Sequence, residues 1–341
     1  MSGTSLDGVD IAHCQFQFQD KRWQYQIVEA ETIPYTKPWK DRLYQVENGS
    51  ALELTRTDIE YGHLLGTLCK QFMDRHRLEP DFIASHGHTI FHQPSEKITL
   101  QIGRGSAIAA ETGRTVISDF RSLDVALGGQ GAPLVPIGDR HLFPEYEFCL
   151  NLGGFANISY EQEGQRIAFD ICPVNIVLNA LAEQTGQPYD ADGILSRTGF
   201  VHPQLLLQLN NLDYYRKPPP KSLGKEWVQE KILPLLGSSG LTIPDQLSTF
   251  TDHVASQIRL ATGTDPAKKI LVTGGGSLNC FLIERIGQSC KPCIILPELS
   301  TIQYKEALIF AYLGVLRWRN EPNCLASVTG ASRDHAGGVI C

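Results

Sequence analysis

Three glycine-rich turns follow strand-like segments of the chain and have the composition of phosphate-binding turns. They are Ser2–Ser5, Asn151–Asn157 and Thr273–Asn279. Glycine lets a backbone approach a ligand closely, and several N–H groups facing inward from one turn form an anion site. One such turn alone is equally well explained as a plain tight turn, but three in one chain favour ligand binding. The sequence has no GxxxxGK[ST] motif and no well-placed GxGxxG, so a P-loop is excluded and a Rossmann dinucleotide site is not indicated.

Asp170 is the carboxylate best placed for proton transfer. It ends the strand-like run R-I-A-F-D and is followed by Ile171-Cys172-Pro173. Ligands of open α/β sheets bind beyond the carboxyl ends of the strands, and an aspartate there is ionised near neutral pH and able to accept a proton. A helix N-cap or a loop aspartate explains the same position equally well.

The segment S-H-G-H-T-I-F-H contains three histidines, His86, His88 and His92. The spacing of the first two suits a metal site. Histidines that form hydrogen bonds within a loop are the commoner explanation of such a pattern, and we favour it here.

Further polar residues follow the next predicted strand. Arg121 lies between Asp119 and Asp124, where it would either form a surface ion pair or bind a carboxylate or hydroxyl-rich ligand. Gln130, in a glycine-rich stretch, can hydrogen-bond a polar ligand. Glu306 is predicted to open the last helix, where the helix dipole favours an acid in any case.

The elements that position these residues alternate between strands and helices, which predicts an α/β architecture with a partly parallel sheet. The stretch D-V-A-L-G-G-Q-G-A-P-L-V-P, residues 124–136, is the best candidate for a linker between two halves. The predicted strands include 9–18, 24–31, 82–85, 148–160, 166–170, 268–273 and 293–299, and the predicted helices include 51–77, 175–186, 249–262 and 304–318.

Composition indicates an ordinary globular protein of one or two domains. The chain has 341 residues, 42% hydrophobic and 20% charged, with a net charge of −7, which does not favour binding to nucleic acid or to an acidic membrane. Its longest apolar run, 307–316, is short for a bilayer span, and no secretory leader is expected. Nine cysteines are scattered, and Cys290 and Cys293 have no redox-type context, so we expect free thiols and a cytoplasmic location.

Several of these stretches together resemble the 1,6-anhydro-N-acetylmuramic acid kinases. The resemblance runs in order from residue 1 to about residue 330. The matching segments are MSGTSLDGVD, SHGHTIFHQP, QIG, ISDFRSLDVALGGQGAPLVP, NLGGFANIS, FDICPVN, YDADG, PKSLGKE and VTGGGSLN, followed by an acid in a final amphipathic helix.

The family resembled has the sugar kinase, actin and Hsp70 fold. The resemblance therefore implies two ribonuclease-H-like (actin-like ATPase) domains with a cleft between them that closes over ATP. We expect an N-terminal domain over 1–130, completed by the C-terminal helix at about 305–341, and a second domain over 131–304.

The resemblance also assigns the nucleotide site and its cofactor. Mg²⁺ would lie on the phosphates of ATP with few protein ligands. The residues implied are Gly3, Thr4, Ser5, Leu6, Asp7, Gly8, Val9 and Asp10 in a first phosphate loop, Gly153, Gly154 and Asn157 in a second, and Gly274, Gly275 and Gly276 beside the adenosine.

The implied reaction opens the 1,6-anhydro bridge with water and phosphorylates the O6 that is released. Asp170 falls at the position of the family's catalytic base, and Glu306 at that of a second acid that orients the water. Substrate contacts are expected from His88, Thr89, Arg121 and Gln130. The expected partners are therefore ATP and a small sugar, with no nucleic acid or membrane, and a homodimer stays open.

The chain departs from the family pattern in ways that keep two alternatives open. Cys172 replaces the glycine of the family's Phe-Asp-x-Gly-Pro-x-Asn motif, Val174 stands at its second variable position where glycine is usual, and His88 replaces a glutamine. The family usually has strand residues ahead of Met-Ser-Gly-Thr, so a shortened first strand that loosens the loop is expected. A kinase for another amino sugar and a degenerate nucleotide-binding protein are the alternatives to the leading interpretation.

Overall fold

The computed structural model describes every residue except Thr4 and Ser5, and it divides into two compact units. Unit 1 comprises Met1–Leu142 and Tyr304–Cys341, and unit 2 comprises Phe143–Gln303. The first boundary between the units therefore falls after Leu142. The boundary expected from the sequence is at residue 130.

Helix α5 (Val135–Leu142) explains the position of the boundary after Leu142. Its residue Asp139 forms a buried ion pair of 2.7 Å with Lys305, and a Cβ on Gly138 would lie 2.7 Å from Ile309. Both contacts join the helix to the C-terminal segment of unit 1. The loop around Gly128 is consequently an internal part of unit 1.

Unit 2 contains one five-stranded sheet flanked by helices. Its strand order is β11-β10-β7-β8-β9, in which β8 alone runs against the others. This order, a three-stranded meander extended by two parallel strands, is the ribonuclease-H-like arrangement that was expected. The elements are β7 (Phe148–Leu152), β8 (Phe155–Gln162), β9 (Gln165–Pro173), α6 (Asn175–Glu183), α7 (Ile194–Thr198), α8 (Pro203–Asn210), α9 (Lys225–Trp227), α10 (Leu233–Gly237), α11 (Ile243–Thr262), β10 (Lys269–Thr273), α12 (Cys280–Ser289) and β11 (Cys293–Ile295).

The core of unit 2 forms where helix α11 packs on this sheet. The helix begins after Thr242, whose side chain accepts a hydrogen bond from the N–H of Asp245, and it ends at Gly263, which has a positive φ. Its apolar side is fully buried. The core side chains at this contact include Leu150, Leu152, Val272, Phe250, Val254 and Ile258.

Unit 1 contains three small sheets. The strands β1 and β2 form an antiparallel pair, β4 and β5 another, and the third sheet has the order β12-β6-β3. The elements are β1 (Gly8–Gln19), β2 (Arg22–Pro34), α1 (Lys37–Gln45), α2 (Ala51–His76), β3 (Ile83–Ser85), β4 (His88–Gln93), β5 (Ile98–Ile102), α3 (Gly105–Thr112), β6 (Val116–Ser118), α4 (Ser122–Ala126), α5 (Val135–Leu142), α13 (Leu299–Trp318, which crosses the second boundary), α14 (Ala326–Thr329) and β12 (Val339–Ile340).

Helix α2 supports the core of unit 1. It begins with a capping box between Ser50 and Glu53 and ends at Arg77 in the left-handed conformation. Gly62 and Gly66 allow helix α3 to approach, since a Cβ on either would lie within 3 Å of an atom at its N-terminus or along its length. A cavity of about 1080 Å³ lies beside α2, lined by β1, β3 and α13.

The α/β prediction is confirmed, and most elements lie where the sequence places them. The helix predicted from Tyr304 is α13, which begins at Leu299, so Glu306 is its eighth residue and does not open it. Residues 124–136, predicted as a linker, hold part of α4 and the start of α5. Among the helices that the structure describes, none combines the length and apolarity needed to cross a membrane.

Candidate functional site

Asp170 lies on β9, directly opposite Asn157 of β8. A bulge between Ala156 and Asn157 interrupts the pairing at this point, and paired residues of antiparallel strands have neighbouring side chains. The catalytic and nucleotide-binding candidates Asp170 and Asn157 are therefore neighbours in unit 2.

A loop more than fifty residues later in the chain holds Asp170 in place. The N–H of Leu223 donates to Asp170 Oδ2 at 2.9 Å, and the N–H of Asp170 donates to the carbonyl of Lys221 at 3.1 Å. The hydroxyl of Tyr214 donates to the Asp170 carbonyl at 2.6 Å. Only one carboxylate oxygen of Asp170 is engaged by these contacts.

The surroundings of Asp170 favour a base that titrates above the usual aspartate range. Partial burial raises the pKa of its carboxyl, and the hydrogen bond from Leu223 opposes that rise. The thiol of Cys172, two residues further along the strand, is fully buried, and burial raises its pKa too. Cys172 therefore stays a neutral, uncharged neighbour of Asp170.

Backbone hydrogen bonds join the second glycine turn to the start of helix α6. The carbonyl of Gly154 accepts hydrogen bonds from the N–H groups of Val174 and Ile176, and that of Gly153 accepts one from Asn175. A Cβ on Gly154 would lie 4.0 Å from its nearest neighbour, a side-chain atom of Ile176. The fold therefore leaves room for a side chain at Gly154, and the absence of one there is not explained by packing.

The third glycine turn is shaped largely by packing within unit 2. Gly274 has φ of 84°, and a Cβ on it would lie 2.7 Å from Asn151 Oδ1. A Cβ on Gly276 would lie 2.8 Å from the side chain of Leu152, whereas one on Gly275 would lie no closer than 3.9 Å to Asn175. Packing leaves no room for a side chain at Gly274 or Gly276, but it does leave room for one at Gly275.

The structure describes the first glycine turn only in part, since Thr4 and Ser5 are not among the residues it describes. The N–H of Leu6, at φ of 57°, donates to the carbonyl of Gly3 at 3.3 Å. A Cβ on Gly8 would lie 2.4 Å from the carbonyl oxygen of Ile33, so strand pairing requires this glycine. The side chain of Val9 is buried, so only its backbone is available to a ligand.

Two carboxylates follow the first turn. Asp7 is exposed, and Asp10 is half-buried and accepts a hydrogen bond of 2.6 Å from Thr32. Oxygen ligands of this kind suit Mg²⁺. Asp7 and Asp10 thus have the donor atoms that such a metal ion needs.

Arg121 is held in a fixed orientation by His86 and by the Gly128–Gly131 loop. Its Nε donates to His86 Nε2 at 2.9 Å, and its Nη1 donates to the carbonyl of Gly131 at 2.6 Å. The Nδ1–H of His86 donates to the Gly87 carbonyl at 3.0 Å. Burial and the positive charge of Arg121 lower the pKa of His86 to about 3, so the ring stays neutral and its Nε2 accepts the hydrogen bond from the guanidinium.

Glu306 lies in the electrostatic field of Arg121. Desolvation raises the pKa of its carboxyl, while Arg121 and the Met1 ammonium lower it and Asp10 raises it. The side chain keeps access to solvent. Glu306, the second candidate acid, therefore interacts electrostatically with the half-buried cation of Arg121.

Gln130 is exposed at the tip of a loop whose base is fixed by Asp124. The N–H of Gln130 donates to the carbonyl of Thr329 at 2.8 Å. Fully buried Asp124 accepts hydrogen bonds from Gly131 N–H at 2.7 Å and from Thr329 at 2.7 Å. The Gln130 side chain is thus available to a ligand while its backbone is held.

Within the described residues, one group has donor atoms close enough to hold a metal ion, namely Asp124, Cys324 and His335. Asp124 Oδ1 already accepts a hydrogen bond of 2.9 Å from His335 Nε2. Burial raises the pKa of the Cys324 thiol, which disfavours the thiolate that a metal needs. Hydrogen bonding within the core accounts for this cluster.

The histidine and threonine expected to contact a sugar differ in their surroundings. His88 is 4% exposed, and its Nδ1 lies 2.9 Å from Ser2 Oγ. Thr89 is half-buried, and its Oγ1 accepts a weak hydrogen bond from Gln101 at 3.4 Å. The geometry at His88 differs from that expected of a sugar contact, whereas that at Thr89 is compatible with one.

Three residues hold individual candidate residues in place, and the sequence singled out two of them, His86 and Asp124, without assigning these contacts, while it missed Leu223. Leu223 orients Asp170, His86 orients Arg121, and Asp124 holds the loop of Gln130. The segment K-S-L-G around Leu223 is part of the family resemblance and was the one available signal for it.

Comparison with known proteins places the whole chain in one family. The family model described as AnmK, anhydro-N-acetylmuramic acid kinase, matches residues 1–341. Among curated relatives, the protein of that name from Synechococcus elongatus is 35% identical, over 97% of this chain and 95% of its own length. Those from Hydrogenovibrio crunogenus and Vibrio cholerae are 34% and 33% identical, each over 100% of this chain and 96% of its own length.

Proposed function

Because the chain belongs to the anhydro-N-acetylmuramic acid kinase family, we propose that it opens 1,6-anhydro-N-acetylmuramic acid with water and transfers phosphate from ATP to O6. The products are N-acetylmuramic acid 6-phosphate and ADP, and the pathway is the recycling of cell-wall sugars. The observation that carries the proposal is the half-buried Asp170 carboxylate, held by Leu223 with one oxygen left for a water molecule.

Asp170 acts as the general base. It removes a proton from water as the water oxygen attacks the anomeric carbon, and the bond from that carbon to O6 breaks. The O6 that is released forms a bond to the γ-phosphorus, and ADP leaves. A raised pKa suits this role, because a base works best when its pKa is near the working pH.

Residues of unit 1 bind the sugar and orient the water. Glu306 orients the attacking water, and its electrostatic pairing with Arg121 supports a fixed charge at that point. Arg121, Thr89 and Gln130 bind the polar groups of the sugar. The fixed guanidinium of Arg121 is well suited to this because little entropy is lost when it binds.

ATP binds along the glycine turns, with its phosphates against Gly3 to Asp10 and against Gly153, Gly154 and Asn157. Gly275 is the glycine of the third turn best placed to face the adenosine, since packing does not require it. Asp7 and Asp10 supply oxygen atoms suited to Mg²⁺, which neutralises phosphate charge when bound.

ADP release with and without 1,6-anhydro-N-acetylmuramic acid tests the proposal. We expect release that depends on this sugar and yields its 6-phosphate. Release that depends instead on another amino sugar would identify the alternative kinase, which the departures at His88 and Val174 allow. ATP binding without release under any of these conditions would identify a degenerate nucleotide-binding protein.

A further inference from the structure

Ser2 belongs to a buried chain of hydrogen bonds that links it to three separate elements of unit 1. Its Oγ lies 2.9 Å from Nδ1 of His88 on β4 and 2.6 Å from the hydroxyl of Tyr35, which follows β2. The Tyr35 hydroxyl in turn contacts that of Tyr61 on α2 at 2.5 Å. All four side chains are buried, so water cannot readily replace a partner that is removed.

The hydroxyl hydrogens of this row of hydrogen bonds can be placed so that each hydroxyl donates to the next group and no two hydrogens face each other. Each of the three hydroxyl groups donates one hydrogen and can also accept one. If Tyr61 donates to Tyr35, Tyr35 to Ser2 and Ser2 to Nδ1 of His88, every hydroxyl hydrogen is used. Burial lowers the pKa of His88, in agreement with the neutral ring that this direction requires.

The backbone next to Ser2 is fixed as well. The Met1 ammonium donates to the carbonyl of Asp10 at 2.7 Å, and the Asp10 N–H donates to the carbonyl of Met1 at 2.9 Å. Such a reciprocal pair is the unit of antiparallel strand pairing. The chain therefore enters the turn at Gly3–Leu6 from a residue held by its side chain and next to one held by its backbone.

We propose that His88 is a positioning residue that anchors the first phosphate loop through Ser2, and that it supports the nucleotide and does not touch the sugar. This rests on the proposed function, which assigns the turn at Gly3–Leu6 to ATP. Little of the His88 ring is exposed, and Ser2 occupies its Nδ1. Successive side chains of a strand point to opposite faces, so Thr89 faces away from Ser2 and keeps the contact with the sugar.

The proposal is tested by binding and kinetics of Ser2→Ala, His88→Ala and the double variant. The dissociation constant of Mg-ATP is measured by calorimetry without sugar, and KM for each substrate is measured separately. We expect each single change to raise the dissociation constant of ATP about fivefold or more, with the sugar KM within about twofold of wild type. The double variant should bind no more weakly than the weaker single variant, since both single changes remove the same Ser2–His88 hydrogen bond.

Two further variants serve as controls. His88→Gln keeps a hydrogen-bonding group at the position and should restore ATP binding toward the wild-type value. His63→Ala removes an exposed histidine of helix α2 that contacts Glu111 and should leave ATP binding unchanged.

Wild-type ATP affinity in folded Ser2→Ala would overturn the proposal, and so would a raised sugar KM with unchanged ATP affinity in His88→Ala. Thermal unfolding of each variant establishes that it is folded, and Ser2→Ala removes only one oxygen atom. If the wild-type protein binds ATP yet phosphorylates no sugar, the proposed function fails while the binding measurements still test the anchor.

Discussion

The backbone N–H of Leu223 donates a 2.9 Å hydrogen bond to the carboxylate of Asp170, although the two residues lie 53 positions apart in the chain. The contact fixes one oxygen of the proposed base and leaves the other for water. Because the donor is a backbone group, a substitution that keeps the N–H preserves the contact and one that removes it does not. This distinction makes the role of the loop testable.

Asp170→Asn is expected to lower kcat by about 10²–10⁴-fold, because the amide keeps the shape of the side chain but cannot accept the proton of water. ATP affinity should stay close to that of the wild type. The acid limb of the wild-type profile of kcat/KM against pH should lie above about 3.9, the ordinary aspartate value, since burial raises the pKa of Asp170. Activity therefore falls as the pH drops through that raised pKa.

The variant's own pH profile is the control for this assignment. The acid limb due to Asp170 should disappear in Asp170→Asn. An unchanged limb would assign it to another acid such as Glu306, and near-wild-type turnover would remove Asp170 from the mechanism.

Leu223→Pro is expected to lower kcat and to move the acid limb to higher pH, because proline has no N–H to hold the Asp170 carboxylate. The hydrogen bond lowers the pKa of Asp170, so its loss raises that pKa further. Leu223→Ala, which keeps the N–H, is the matched control and should keep the wild-type profile. If both variants show the same profile, the backbone contact does not tune the base.

Gly154→Val is expected to weaken ATP binding without a change in the thermal unfolding midpoint. The Cβ would lie 4.0 Å from the nearest side chain, so the protein itself can accommodate it, whereas a phosphate against the turn cannot. Gly237→Val, on helix α10 with nothing within 4 Å of its Cβ, is the control for adding a valine in open space. Normal ATP affinity in Gly154→Val would place the second phosphate loop elsewhere.

Asp124→Ala is expected to destabilise unit 1 by about 3 kcal/mol or more, since hydrogen bonds to a charged group contribute about 1.5–3 kcal/mol each. Burial opposes ionisation of Asp124, but hydrogen bonds from His335, Thr329 and Gly131 lower its pKa. The stabilisation is therefore present above the pKa of the unfolded state and is lost as pH falls through the folded-state pKa.

Urea unfolding at neutral and at acidic pH measures this contribution. Asp213→Ala, a change at an exposed aspartate, is the control and should leave stability unchanged. Equal stabilities of Asp124→Ala and the wild type at neutral pH would contradict the role given to Asp124.

Local sequence patterns predicted the elements of the fold because the residues that form each strand or helix are neighbours in the chain. The strand that ends near Asp170 and the second and third glycine turns were found in this way, while the first glycine turn lies partly outside the described residues. Leu223 was not, because its loop meets β9 only in the folded unit and its contribution is a backbone N–H that no residue type reveals.

The boundary between the two compact units and the place of Glu306 differ from the sequence expectation for related reasons. Glycines around Gly128 indicate a flexible linker, but tertiary contacts of Asp124 and of helix α5 hold this stretch inside unit 1. Helix α13 begins five residues before the predicted start at Tyr304. Helix ends depend on caps and packing that apolar spacing does not record.

The central claim is that bridge opening by water and phosphoryl transfer to O6 occur in one coupled reaction. The most direct test runs the reaction with ATP and 1,6-anhydro-N-acetylmuramic acid in ¹⁸O-water and locates the label by mass spectrometry. If Asp170 delivers water to the anomeric carbon, the label appears on the anomeric oxygen of the sugar phosphate and not in the phosphate group. Label in the phosphate would mean that water attacked ATP, and it would contradict the coupled mechanism.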